Sequence, residues 1–564
     1  MLIKELPTVE HRIKIGPQEP LFSKLISHVE KGACRFCCFV DRSPLWFLAG
    51  LSLLYFGASA TLACLKLMWF DELCTYSIAA LPNATAIWSK LASGTGPMPP
   101  SFYLLTRLSE QGFAPTHLAI RFPELIGFLI ASLCLFHFIR RRTNALYGLI
   151  GMLAVWISAA YPFAYEARPY GLVLGFCGLA LVCWQAATEH ERRIWAWLGL
   201  FAACVGAVAS HYGAVMLVFP LTLGELVRSI SRKKVDWLVW LAFGGAGLPL
   251  LIFFPLLRAS ISPYGRAMWS RPHWGSILEC YTELLSIAGH PLVAILAALA
   301  IWRTVRVGGT PRGLALRSYS MPLWEIAAAI GLLLLPLIAL LQALLLSDQI
   351  TPRYAMPLVM GFGILVALLA HENLGDDAVG GLLILGLLFA GWGSHVRWEY
   401  LKIRPEADRL QALYRAATRQ PGNLPVVVND GNRFFQLAHY APAEFSSRLF
   451  YLVDPDAARK YAGTDSVDLC LLGYGRFLPL NLPLANSFIR AERPFLLYAS
   501  SDGWLLPVLQ NKGAKIELVG INARDTLYRI ESNRIGSSLR PNFEIMDSAL
   551  SAYPELQDRP VASD

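Results

Sequence analysis

The sequence predicts an α-helical polytopic membrane protein of about eleven transmembrane helices, followed by an extracytoplasmic α/β domain. Three observations carry that prediction. Of 564 residues, 55% are hydrophobic and only 16% charged, with a mean hydropathy of +0.45, which is more apolar surface than one soluble core of this size hides. Apolar runs of spanning length recur as far as Trp392, and basic residues gather on alternate connections between them. After Arg397 the composition becomes that of a water-soluble domain. Together these exclude a disordered chain, a disulfide scaffold and an ordinary cytosolic enzyme. The 49 Lys+Arg against 40 Asp+Glu form no basic patch interleaved with aromatics, so no nucleic-acid partner is expected.

Residues 1–42 are polar and carry Lys4, Arg12, Lys14, Lys24, Lys31, Arg35 and Arg42. No signal-peptide core comes first, and the segment is expected in the cytoplasm. Pro44 to Leu65 is the first span, without a small-residue cleavage site. Further spans are expected at Thr116–Ile139, Ala145–Tyr161, Pro169–Ala187, Ile194–Ser210, Gly213–Val227, Trp237–Leu257, Leu284–Trp302, Leu323–Leu346, Tyr354–Ala370 and Val379–Trp392. Inner connections then hold Arg140-Arg141-Arg142, Arg192-Arg193, Arg228 with Arg232-Lys233-Lys234, and Arg303, Arg306, Arg312 and Arg317, as the positive-inside rule requires. An odd number of spans sends the C-terminus outside. A further span at Pro99 to Gly112 would put the Arg140 cluster on the wrong face, so that stretch is expected as a helix at the outer interface. Residues 66–115 become one long outer loop, and loops of this length usually carry function.

The resulting division is a cytoplasmic segment 1–42, a transmembrane unit 43–396 with its outer loop 66–115, an α/β domain 397–540 outside the membrane and a flexible tail 541–564. In the α/β domain, strands are expected at Pro425–Val428, Leu449–Val453, Val467–Leu472, Phe495–Tyr498, Lys515–Val519 and Thr526–Ile530, with helices such as Glu406–Arg419 and Asp456–Tyr461 between them. No glycine-rich phosphate loop opens any of these helices, so no nucleotide site is expected there. Cys34, Cys37 and Cys38 read as juxtamembrane thiols rather than a zinc site. Cys74, Cys280 and Cys470 fall on the outer side, where pairing is open to them in any combination.

Sorting the ionisable residues by face leaves an outer group that charge bias does not explain: Asp71, Glu72, Glu166, Arg168, His211, Asp348 and Arg353. Asp71-Glu72 follows Trp69-Phe70 at the outer mouth of the first span, where a carboxylate can take a proton from a hydroxyl held at the interface. Helix neighbours diverge by about 100°, so one carboxylate faces the site while the other orients it, binds a metal or caps a helix. Tyr165-Glu166-Ala167-Arg168-Pro169-Tyr170 joins two spans through a short outer turn. Arg168 suits a phosphate through its planar fork; a local Glu166–Arg168 ion pair is the plainer alternative. Thr351-Pro352-Arg353-Tyr354 repeats the theme, with a snorkelling arginine as its alternative. Ser210-His211-Tyr212-Gly213 is the tightest outer turn, and its histidine is a substrate contact or an internal hydrogen-bonder. Arg121 and Glu124, one helical turn apart, are expected to pair with each other. For sugar transfer from a lipid phosphate, the leaving group needs charge neutralisation rather than an acid. One carboxylate base and one or two arginines suffice, half the equipment of the paired-carboxylate glycosidases.

The order and sidedness of these motifs resemble the GT-C class of membrane glycosyltransferases. The resemblance is to the bacterial family related to protein O-mannosyltransferases, the lipid A aminoarabinose transferase and the rhizobial lipopolysaccharide galacturonosyltransferases. It covers roughly the first 400 residues and rests on Trp69-Phe70-Asp71-Glu72, Pro99-Pro100-Ser101-Phe102-Tyr103, Arg121, Glu166-Ala167-Arg168-Pro169-Tyr170, His211-Tyr212 and Arg353-Tyr354. Met98 stands where relatives often have histidine before the Pro-Pro pair. The resemblance implies a GT-C-like fold in the bacterial inner membrane, a polyprenyl-phosphate-sugar donor, inversion at the anomeric carbon and an extracytoplasmic acceptor: lipopolysaccharide or lipid A, a polysaccharide or a protein hydroxyl. It implies Asp71 as catalytic base with Glu72 beside it, Arg168 and Arg353 on the donor phosphate, and Tyr103, Glu166, Tyr170, His211, Tyr212 and Tyr354 around the substrate. It fixes no cofactor, and a divalent cation near Asp71 is left open. The competing class is a transporter or lipid flippase with a solute-binding outer domain, for which polar breaks near the bilayer midplane are expected instead.

Overall fold

The computed structural model describes residues 21–189, 194–261, 270–286, 320–347, 349–375, 377–491, 493–499, 503–522 and 525–531. Five of its helices are long and apolar enough to cross a bilayer, seven if each of two bent pairs is one span, and three further apolar helices are shorter. The expected segments at 44–65, 116–139, 169–187, 213–227 and 379–392 fall in Pro44–Leu65, Phe122–Arg140, Tyr170–Glu189, Tyr212–Arg232 and the helix that opens at Ala378. The segment Leu284–Trp302 lies mostly outside the described residues, as do Asp348, residues 1–20 and the tail after Glu531. Trp46, Trp195, Trp237 and Leu251 are each more than three-quarters exposed (81%, 78%, 76% and 76%), the pattern of side chains that face lipid.

Two expected spans are broken. The chain bends by 64° between Trp237–Ile252 and Phe254–Ser260, and by 50° between Leu323–Leu333 and Leu335–Leu345. Pro255 and Pro336 sit just past the breaks. Each lacks the amide hydrogen that would continue the helix ladder and crowds the preceding turn, a local effect that hydropathy does not register. Elsewhere, glycines bring helices into close contact. A Cβ on Gly127 would lie 2.6 Å from the carbonyl oxygen of Gly171, and one on Gly175 would lie 2.6 Å from that of Gly127. Phe122–Arg140 and Tyr170–Glu189 therefore pack backbone to backbone, which fixes the turn at 166–170 beside Arg121. At the opposite end of the bundle, two described arginines of the basic connections are paired: Arg142 with Glu189 and Glu325, and Arg228 with Glu225 and Asp236.

The C-terminal segment forms a five-stranded sheet of β1 (Val426–Val428), β2 (Leu449–Phe450), β3 (Phe495–Ala499), β4 (Lys515–Asn522) and β5 (Asp525–Glu531), in the order β2-β1-β3-β5-β4. β1 is parallel to both neighbours, while β3, β5 and β4 are antiparallel. All three residues of β1 are buried, as a continuous apolar run in a covered central strand should be. The strand expected at Val467–Leu472 is instead part of the helix Ser466–Gly475. A six-residue stretch with one polar position does not distinguish strand from helix by periodicity. Here Asp468 turns inward and accepts hydrogen bonds from the Tyr451 hydroxyl at 2.7 Å and the Asp454 amide at 2.9 Å. Burial raises the carboxyl of Asp468 to about 6.

Candidate active site

Past the first span, residues 66–69 lead into the helix Phe70–Ala79, with Asp71 and Glu72 in its first turn, where the helix dipole favours negative charge. The two carboxylates diverge. Glu72 is fully buried and takes a bidentate pair from Arg121, with Nε and Nη2 each at 2.7 Å, together with the Ala167 amide at 2.7 Å. Burial pushes its carboxyl upward, but the guanidinium and these donors outweigh burial and hold it below the usual carboxylate range. Arg121 also donates to the carbonyls of Ala63 and Lys66. One buried pair thus ties together the end of the first span, the acidic turn and the turn at 166–170. The expected Arg121–Glu124 pairing does not form. Arg121 precedes the helix Phe122–Arg140 as its N-cap residue and its side chain reaches back to the loop after the first span, while Glu124 accepts from the Leu172 amide at 2.9 Å.

Asp71 points the other way and keeps 28% of its side chain exposed. Its Oδ2 lies 3.1 Å from Arg353 Nη1 and 3.6 Å from Arg168 Nη2. Two guanidiniums from connections 185 residues apart in the sequence therefore converge on one carboxylate. Arg353 is stacked 5.2 Å from the ring centroid of Trp69. Arg168 is buried, and its Nε is without a hydrogen-bond partner. Tyr103 and Tyr170 place their phenols near it.

His211 caps the short 3₁₀ turn Tyr212–Leu217, its Nδ1 accepting from the Gly213 amide at 3.0 Å. Burial first, and then Arg168, push its imidazole down to about 3. At neutral pH it is uncharged, with Nε2 carrying the hydrogen. Its ring lies 5.6 Å from those of Tyr170 and Tyr354. Tyr170, His211, Met216, Arg353, Tyr354 and Pro357 line one narrow cleft. The Tyr212 hydroxyl is buried without a partner.

Of the expected residues, Asp71, Arg168, Arg353, Tyr103, Tyr170, His211 and Tyr354 come together, whereas Glu166 does not join them through Arg168. Glu166 pairs with Lys66, and Lys66 also lies 5.5 Å from the centroid of Tyr165, so the local Glu166–Arg168 pair is absent. Sequence reasoning missed Lys66 and the contribution of the C-terminal segment. Asn432 Oδ1 accepts from the Phe70 amide at 2.7 Å, Gln436 donates to the Met68 carbonyl at 3.0 Å, and the Tyr440 hydroxyl accepts from the Met68 amide at 2.9 Å. One helix, Gly431–Tyr440, therefore holds the backbone just before Asp71. With more than 360 residues between these partners, no local signal announces the contact.

Among the described residues no three His, Cys, Asp or Glu side chains converge as a metal site. Asp71, beside which a divalent cation was left open, faces two guanidiniums, a surrounding that does not fit such an ion.

The fold of this bundle is that of GT-C membrane glycosyltransferases, as two solved structures show. Residues 97–258 match the profile of the family described as dolichyl-phosphate-mannose-protein mannosyltransferase. Among solved structures, the chain is similar to ArnT from Cupriavidus metallidurans in the apo state, at TM-score 0.54 and 14% identity over 86% of this chain and 98% of that one. It is likewise similar to ArnT from the same organism bound to undecaprenyl phosphate, at TM-score 0.53 and 13% identity over 88% and 99%. No curated protein matches the chain in sequence.

Proposed function

We propose that this protein is an inverting glycosyltransferase of the bacterial inner membrane that moves a sugar from a polyprenyl-phosphate carrier to a hydroxyl outside the cytoplasm. The observation that carries the reading is the convergence of Arg168 and Arg353 on Asp71. Two fixed guanidiniums are equipment for a phosphate that gains charge as it leaves, and a partly exposed carboxylate between them is placed to accept a hydroxyl proton. The fold shared with a protein whose structure holds undecaprenyl phosphate supports a lipid-phosphate donor. The paired arginines at the far end of the bundle support a cytoplasmic face there, with the Asp71 site and residues 397–540 in the periplasm and residues 43–396 as the catalytic membrane unit.

In this reading the contacts of Asp71 are those of the resting enzyme. The donor phosphate takes over the guanidiniums, and Asp71 is released to act as base. The acceptor oxygen loses its proton to Asp71 and bonds to the anomeric carbon from the face opposite the phosphate. The bond from that carbon to the phosphate oxygen breaks, and the electron pair leaves on the lipid phosphate, which Arg168 and Arg353 neutralise. Glu72, spent on Arg121, positions the turn. His211, neutral, and Tyr170 and Tyr354 line the sugar's cleft. The acceptor is a lipopolysaccharide or lipid A, polysaccharide or protein hydroxyl.

The test is transfer of radiolabelled sugar from a mixed polyprenyl-phosphate-sugar pool to membrane acceptors by purified wild type and Asp71→Asn. Loss of roughly a hundredfold or more in a folded variant supports the base. A folded wild type that moves no sugar from any donor overturns the reading, and flux across liposomes then tests a transporter.

A further inference from the structure

The C-terminal segment meets the helix of Asp71 through a second contact, independent of Asn432, Gln436 and Tyr440. Cys74 Sγ and Cys470 Sγ lie 3.9 Å apart, though 396 residues separate them in the chain. Among the described residues no other thiol pair is in hydrogen-bonding contact. Four residues beyond Cys470, one turn along the same face of Ser466–Gly475, the Tyr474 hydroxyl donates to the Cys74 carbonyl at 3.2 Å. Both side chains of that face thus reach one residue of Phe70–Ala79, which holds the two helices in register at the thiols. Cys280, the third outer candidate from the sequence, is buried in the helical stretch 275–286, and no thiol contact reaches it.

We infer that Cys74 and Cys470 form a disulfide in the mature protein, which staples the helix carrying Asp71 to the C-terminal domain. At 3.9 Å the two sulfurs are in contact but not bonded, the separation from which side-chain rotation brings a facing pair to a bond of about 2 Å. The inference rests on the proposed placement of both residues outside the cytoplasm, where disulfides persist. The oxidant is the disulfide of a thiol–disulfide oxidoreductase in that compartment. One protein thiolate attacks an oxidant sulfur, making a mixed disulfide and releasing one oxidant thiol. The second protein thiolate attacks the protein sulfur of that intermediate and releases the other oxidant thiol. The two protons lost from Cys74 and Cys470 are those gained by the oxidant, which is reduced by two electrons. Burial raises the Cys74 thiol well above its usual range, so the exchange belongs to folding, before the helices close over it. Asp71 lies one turn before Cys74 on the same helix, so the staple limits how far the carboxylate strays from Arg168 and Arg353.

The test uses the full-length protein purified without reductant, denatured, alkylated with N-ethylmaleimide and digested for mass spectrometry. The expected result is a linked peptide pair carrying Cys74 and Cys470, lost on reduction, with Cys470 becoming alkylatable in Cys74→Ser. Full alkylation of both cysteines without reductant overturns the inference. A second arm separates that failure from a failure of sidedness: Asp456→Cys, on an exposed helix of the domain, is treated in intact cells with a membrane-impermeant maleimide. Reduced thiols with labelling from outside remove the disulfide alone. Reduced thiols with labelling only after permeabilisation remove the disulfide and the periplasmic placement together.

Discussion

Glu72→Gln separates the two neighbouring carboxylates, because it removes a charge from the pair with Arg121 without opening a cavity. Both side chains of that pair are fully buried. Glutamine keeps one oxygen for four donors, the two guanidinium hydrogens and the Ala167 and Trp69 amides, and turns its own NH₂ toward a cation. Breaking a buried pair by removing one partner costs about 3–5 kcal/mol, since the other charge is left uncompensated. The melting temperature of the detergent-purified protein is expected to fall by roughly 3–4 °C. Asp71→Asn removes a carboxylate that is 28% exposed, so its loss of stability is expected to be smaller than that of Glu72→Gln while its activity collapses. The double variant Glu72→Gln/Arg121→Met no longer strands a charge and is expected to melt above Glu72→Gln. A Glu72→Gln protein that melts with the wild type, or a double variant less stable than the single, would refute the positional role assigned to Glu72.

Arg168→Ala is expected to weaken donor binding by about 30-fold or more and Arg353→Ala by about 10-fold or more, read as KM for the polyprenyl-phosphate sugar. Unchanged KM in both would remove the phosphate site. Asn432→Ala deletes the acceptor for the Phe70 amide, a bond worth about 1–2 kcal/mol. A kcat drop of about fivefold or more at unchanged donor KM marks it as a positioning residue, and a KM change alone contradicts that. The lowered pKa of His211, about 3 in the folded protein against an ordinary 6.5, means that the unfolded chain binds the proton first. Its contribution to stability is therefore complete above about pH 6.5 and is lost as pH falls toward 3. His211→Gln should flatten the melting profile over that window and leave the acid limb of kcat/KM in place. Disappearance of a limb near pH 6.5 would show instead that His211 titrates in catalysis.

Much of the membrane part was legible because hydropathy and charge bias are sums over many residues, and no single side chain decides them. The breaks near Phe253 and Leu334 were not, since a hydropathy window gives Pro255 and Pro336 no special weight. Asp71, Arg168, Arg353 and His211 stood out because an ionisable residue at an outer helix end is costly and needs a reason. Their partners were a different matter. Arg121 is one turn from Glu124 in sequence, yet it spends its fork on Glu72, a choice set by the direction in which an N-cap residue leaves its helix.

The sequence by itself determined a bundle of apolar helices, the sidedness pattern of its basic connections, the change of character near Arg397 and the short list of residues from which a site had to be built. Only the tertiary structure decided which carboxylate is buried and which is open, that Arg168 and Arg353 share Asp71, and that Asn432, Tyr440 and Cys470 reach the first outer loop. The physical reason is separation along the chain. Helix formation and hydropathy act within a few turns, whereas the contacts at Asp71 join residues 282 and 362 positions apart, and only packing brings such residues together.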